Sequence, residues 1–128
     1  MARNEAKAAT PAADLTSYFR SISEEGLLTA DDERRLAAAI ALGEEEARSR
    51  IITANLRLVV TIARDYLGRG MLLEDLIGEG NLGLIRAAQE FDPSFGVRFS
   101  TYASYWIKQA IRQALTCTTA TIRVPVHM

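Results

Sequence analysis

Along most of this chain apolar residues recur every three to four positions, the spacing of one helix face, and no stretch alternates with the period of a strand. Met1 to Ala13 lacks the pattern. It is Ala-rich and polar with one Pro, and is expected to be a disordered tail (residues 1–13) ahead of one folded helical domain (14–128). Asp14 to Ser23 predicts a short helix, with Asp14 as N-cap and Leu15, Tyr18, Phe19 and Ile22 on one side. Leu27 and Leu28 then precede Thr29, a good N-cap with Asp32 at the capping-box position, so a helix should run through Leu36 and Ile40 to Leu42 and stop at Gly43. Glu44 opens a longer central helix whose stripe is Ile51, Ile52, Leu56, Val59, Val60, Ile62, Ala63 and Leu67. Gly68 and Gly70 break it.

The next helix starts near Met71 and carries Leu76, Ile77, Leu84, Ile85 and Ala88. Gly78, Gly80 and Gly83 lie inside it. At about 1 kcal/mol each relative to Ala they are costly, and close helix crossing is the expected reason. Asp92 to Gly96 reads as a turn. Ser100 is placed to N-cap the last long helix, expected to end near Thr118 and to give way to an extended Arg123–Met128 segment, as in a fragment of a longer protein. The architecture this adds up to is all-α, a compact multi-helix bundle with short connections.

Composition changes the picture in one place. Hydrophobic content of 48% and charged content of 24% are globular values. No apolar run is long enough to cross a bilayer and the N-terminus lacks a signal-peptide core, so no membrane association is expected. A single cysteine, Cys117, fits a reducing cytoplasm and reads as an inert helix-end residue. Aromatic residues, however, are crowded. Six of the nine fall between Phe91 and Gln113: Phe91, Phe95, Phe99, Tyr102, Tyr105 and Trp106. Arg98, Lys108 and Arg112 are interleaved with them. From Pro93 onward there are four Lys or Arg and no acid, whereas the rest of the chain carries 11 basic and 16 acidic residues. A global basic footprint for duplex DNA is therefore absent, and what exists is a local basic surface near the C-terminal end.

Tyr102, Tyr105, Trp106 and Gln109 stand at i, i+3, i+4 and i+7 and share a face. Aromatics beside cations and amides suit unpaired nucleic acid, because every base offers a π-face for stacking and Arg or Lys can hold the phosphates. The alternative is ordinary core with the charges on the solvated side. Catalytic chemistry finds no support: one His and one Cys exclude the usual metal clusters and Cys–His pairs, and no nucleophile-elbow, P-loop or dinucleotide fingerprint occurs. Acids cluster at helix starts, where capping explains them. No enzyme, metal or cofactor is expected.

Several runs carry a more specific signal. Asn55-Leu-Arg-Leu-Val-Val60, Asp75-Leu-Ile-Gly-Glu-Gly-Asn-Leu-Gly-Leu84, Phe91-Asp92, Phe99-Ser-Thr-Tyr-Ala103, Trp106-Ile-Lys-Gln-Ala-Ile111 and Thr121-Ile-Arg-Val-Pro-Val-His-Met128 resemble, in order, region 2 of bacterial sigma factors of the sigma-70 family. Asp14 to Leu42 is similar to region 1.2. The resemblance implies transcription initiation: a non-enzymatic domain that docks on the clamp helices of core RNA polymerase and melts the promoter minus-ten element by capturing flipped bases of the non-template single strand. An anti-sigma factor is a further partner the family admits. A helical protein–protein adaptor without DNA binding is the alternative from another class.

By the same resemblance, Tyr102 would stack on the first flipped adenine in a pocket with Phe91 and Phe99. Arg98, Thr101 and Lys108 would line it or hold nearby phosphate. Tyr105 and Trp106 would form the wedge at the upstream fork, with Gln109 and Arg112 facing the last paired base pair. A second pocket, for the final thymine, would use Leu27, Glu33, Asn55 and Ser100, and Phe19 and Arg20 would lie just downstream. Polymerase docking would fall on Leu56, Val59, Asp75, Gly78, Glu79, Asn81 and Ile85. Tyr105 in place of a second Trp, Val97 in place of an aromatic, Gly78 in place of a polar residue and the Arg112–Gln113 pair depart from housekeeping members. They look more like a group 2-like or alternative sigma factor.

Overall fold

The computed structural model describes residues 27–127, with side chains described over 27–118. The expected tail, the expected helix over Asp14–Ser23, and Phe19 and Arg20 lie outside the described residues. Within them the chain is all-α, as its periodicity predicts: α1 (Ala30–Ala41), α2 (Glu45–Thr53), α3 (Leu56–Arg64), α4 (Leu73–Glu90) and α5 (Phe99–His127), with a short 3₁₀ turn at Pro93–Phe95. Thr29 and Asp32 form the expected capping box, each side chain accepting from the other's backbone N–H, at 3.1 and 3.0 Å. Gly43 takes φ 87°, the left-handed conformation that ends α1.

Two boundaries differ from expectation. The central helix is two helices, because Asn55 interrupts it. Its side-chain Nδ2 donates to the Ile51 carbonyl at 2.8 Å, the acceptor that its own backbone N–H would use in a continuous helix, and that N–H turns to Ile52 instead. Conversely, α5 does not stop at Thr118 but continues to His127. Threonine lowers helix propensity by only fractions of a kcal/mol per residue, about 0.7 at most, so Thr118, Thr119 and Thr121 do not end a helix already nucleated, while Pro125, at about 3 kcal/mol, is carried in its last turn against propensity.

The core lies where α4 and α5 cross, with α3 packed against both. Ile51, Val59, Leu76, Leu84, Phe99, Ile107 and Ile111 are its largest fully buried side chains. The glycines of α4 divide by position. A Cβ on Gly83 would meet the α5 backbone, with Trp106 C at 2.8 Å, Ile107 Cα at 2.9 Å and the Trp106 carbonyl oxygen closer still. A Cβ on Gly80 would stand 2.8 Å from Val59 Cγ1, whereas one on Gly78 would meet nothing within 4 Å. Close crossing therefore accounts for Gly80 and Gly83 and not for Gly78.

Candidate nucleic-acid interface

The turn before α5 sets the site. Asp92 Oδ1 accepts from the Ser94 N–H at 2.9 Å, Pro93 starts the 3₁₀ turn, and Gly96 closes it at φ 82°. Hydrogen bonds to Ser94 hold the Asp92 carboxyl below its usual range. This turn carries Phe91 and Phe95 to the first turns of α5, where the rings form a continuous row. Phe91 lies 5.6 Å from Tyr102, Phe95 lies 5.4 Å from Tyr102, Tyr102 lies 6.3 Å from Trp106, and Trp106 lies 5.6 Å from Tyr105, centroid to centroid. These are edge or tilted contacts rather than face-to-face stacks.

Exposure decides between a base cradle and a core. Tyr105 is 62% exposed and Phe95 53%, and Phe91, Tyr102 and Trp106 are half-buried. Phe99 alone of the six is sealed, at 0%. It stands edge-on behind Phe91 at 5.2 Å, so it supports the row and cannot touch a base, which corrects its expected place in the pocket wall. The Tyr102 hydroxyl donates to the Glu90 carbonyl at 3.4 Å, and the Trp106 indole N–H is buried and meets no acceptor among the described residues.

The cations are more committed than their spacing suggests. Arg98 Nε and Nη2 fork onto Glu33 Oε1 and Oε2 at 3.1 and 3.2 Å, and Nη2 also donates to the Leu28 carbonyl at 2.8 Å. Hydrogen bonding to Glu33, then its charge, raises the Arg98 pKa. The Arg98 side chain as a whole keeps about half its surface, 52%, in solvent. Arg112 Nε donates to the Tyr66 hydroxyl at 3.1 Å, which turns it toward the end of α3 and away from the upstream-fork position expected for it. Lys108 is half-buried; Ser100, Thr101 and Gln109 are exposed. Ser100 does not cap α5, since the helix already begins at Phe99, whose N–H donates to Glu33 Oε1. Of the four residues expected to share the second pocket, Leu27 is fully open at 82%, Asn55 spends its amide on Ile51, and Glu33 is the one with a described hydrogen bond to α5.

Sequence reasoning missed Arg86, whose guanidinium lies over the Trp106 ring at 4.9 Å and pairs loosely with Glu90 at 3.9 Å. Nothing in its spacing links residue 86 to residue 106, since the contact is made by the helix crossing. Among the residues expected to dock on polymerase, Val59 is fully buried and belongs to the core, which removes it as a contact. Leu56, Glu79 and Asn81 are half-buried, and Asp75, Gly78 and Ile85 are exposed. Leu82, 59% exposed, was missed, although it shares the stripe 75, 78, 82, 85 and could have been read from that spacing. A groove of about 540 Å³ follows the α4–α5 crossing past Leu82, Arg86, Trp106 and Gln109. A smaller hollow of about 250 Å³ opens beside Phe91, Pro93, Val97, Arg98 and Glu33. Among the described residues no cluster could hold a metal, and no helix is long and apolar enough to cross a membrane.

Residues 51–121 match the family Sigma-70 region 2, and residues 15–46 match Sigma-70 factor, region 1.2. The chain belongs to the sigma-70 family. It is similar to the RNA polymerase sigma factor SigA of a Bacillus species, 56% identical over 111 residues, which cover 87% of this chain and 29% of that protein. The RNA polymerase sigma factors SigA of Listeria monocytogenes serovar 1/2a and Listeria innocua serovar 6a are each 54% identical over 111 residues, 87% of this chain and 30% of theirs. The chain thus spans less than a third of the length of these relatives. In sigma-70 terms, α1 falls in the part matching region 1.2 and the aromatic row in the part matching region 2, and the Glu33–Arg98 ion pair ties the two parts together.

Proposed function

We propose that this domain serves transcription initiation in the cytoplasm by binding, not catalysis. It docks on core RNA polymerase through the α4 stripe of Asp75, Gly78, Leu82 and Ile85, with Leu56, Glu79 and Asn81 at its border. It opens the promoter minus-ten element by capturing flipped non-template bases on Tyr102, Phe91 and Phe95. Tyr105 and Trp106 wedge the upstream fork, with Gln109 reaching the last base pair. The observation that carries this reading is the open aromatic row: five rings touching in sequence, two of them more than half exposed, with no acid in the chain from Pro93 onward. Extruding a base costs a few kcal/mol of stacking, and aromatic faces return about 1–3 kcal/mol per base. The family match and the similarity to RNA polymerase sigma factors SigA support the polymerase half of the proposal.

The test is a gel shift with single-stranded minus-ten oligonucleotides, with and without core polymerase. Tyr102→Ala should weaken binding of the minus-ten strand roughly 5- to 150-fold, the loss of one stacked base. Equal affinity for a scrambled strand, with polymerase present, would leave the protein-only adaptor as the better account.

A further inference from the structure

Arg34, Arg35, Arg48, Arg86 and Arg98 each stand within ion-pair distance of a carboxylate. Arg112 is held differently. Among the described residues its partner is a neutral hydroxyl, since Nε donates to Tyr66 Oη at 3.1 Å. Tyr66 is a firm support. It is 8% exposed, belongs to the core cluster, and carries the Arg69 guanidinium 5.2 Å from its ring centroid. Arg69 is brought back over that ring by a loop with Gly68 at φ 83° and Gly70 at φ 107°, conformations that glycine takes without strain. Arg112 itself is exposed. It is thus a guanidinium whose stem is tied, whose charge no acid cancels, and whose two Nη groups are left to donate.

Its place on the helix says to what. At 1.5 Å rise per residue, Arg112 stands about 9 Å beyond Trp106 along α5, one turn past Gln109. That is the length of roughly two to three steps of duplex DNA. From Pro93 onward the chain holds no acid that would repel a polyanion along this helix. We propose that Arg112 anchors a backbone phosphate of the promoter duplex just upstream of the melted segment, with Tyr66 as the brace that holds it there. This rests on the base-capture reading above, which puts the fork at Tyr105 and Trp106. Phosphates recur along a strand whatever its sequence, and two N–H groups in a fixed plane suit their oxygens. Sequence at the fork is then left to Gln109, and Arg112 supplies affinity without preference.

The 128-residue chain, with core polymerase present, is titrated over a range of salt against three fluorescent DNAs: a fork with an upstream duplex and a minus-ten overhang, the minus-ten single strand alone, and a scrambled single strand. Arg112→Gln should lower the salt slope on the fork by about 0.9 and weaken fork binding about eightfold near 0.1 M salt, one counterion fewer being released. Binding of the single strand should not change. Arg112→Lys, a point charge without the planar fork, should keep the slope and most of the affinity. Tyr66→Phe, which keeps the ring and removes the hydroxyl, should fall between wild type and Arg112→Gln on the fork alone. Exchanging the last base pair of the fork should leave the Arg112→Gln loss as it was. A loss that follows the identity of that pair and is not restored by lysine would make Arg112 a base reader and overturn the inference, as would equal losses on fork and single strand. An unchanged slope and affinity in Arg112→Gln, with the wild type still telling minus-ten from scrambled strand, defeats this inference alone. A wild type that does not tell them apart defeats the base-capture reading and this inference with it.

Discussion

Two stretches of α5 are held by different forces. Its middle, Ala103, Ile107 and Ile111, is fully buried against α4, with backbone meeting backbone at Gly83. Its beginning is held by polar groups: Glu33 on the Phe99 N–H and Arg98, Asp92 on the turn before it. There Phe95, Val97 and Tyr105 remain open. Packing tolerates changes of charge in the solvent but no added volume, because an interior at crystal-like density has nowhere to move. A polar clasp does not tolerate loss of a donor or acceptor, which leaves its partner unsatisfied. Directional bonds thus fix the turn and the first residue of the helix, while Trp106, on the proposed capturing face, rides on the packed seam itself.

The strongest way to break this contrast is Gly83→Ala. Its Cβ would press on the α5 backbone, which cannot rotate away as a side chain can, so a loss on the order of 3 kcal/mol is expected in urea unfolding. An unchanged midpoint would show that the two helices are not in close contact there. Gly78→Ala runs the other way. It lies on the same helix with open space around it, and should gain up to about 1 kcal/mol from helix propensity alone. If it destabilises the chain as Gly83→Ala does, the seam extends further than the structure places it.

The smallest effect is one of pH, and it should fall on the polar stretches. Asp32 is held below the usual carboxylate range by hydrogen bonds to Thr29 and by Arg35, and Asp92 by its bonds to Ser94. A depressed folded-state pKa means that the unfolded chain binds more protons in the window between the two values. These caps therefore contribute fully above the ordinary value of about 4 and lose their contribution as pH falls through it to their own lower pKa. Amide protection relative to intrinsic exchange should fall near Thr29 and Ser94 on acidification below about pH 4, before protection at Ile107 does. A uniform response along the chain would erase the distinction.

Much of this was legible because it is local chemistry. The capping box at Thr29 and Asp32, the stop at Gly43 and the turn from Asp92 to Gly96 each depend on residues within four positions of one another. The aromatic row was legible as a candidate site because its residues are crowded and share a helical spacing. Other features were not. Asn55 could equally have sat on a continuous helix, and only its bond to Ile51 shows the break. Val59 and Phe99 look on paper like their exposed neighbours, and burial is set by what crosses over them. The same holds for Arg86, brought to Trp106 by the α4–α5 crossing.

What the amino-acid order determined by itself is the set of helices, their apolar faces and the gathering of rings ahead of and along α5, since backbone hydrogen bonding and side-chain period act over a few residues. What only the tertiary structure decided is which of those rings face outward and which acid holds the start of α5. Both depend on contacts between residues tens of positions apart. The first is set by the helix crossing at Gly83 and the second by where α1 lies against the start of α5, and no local pattern encodes either.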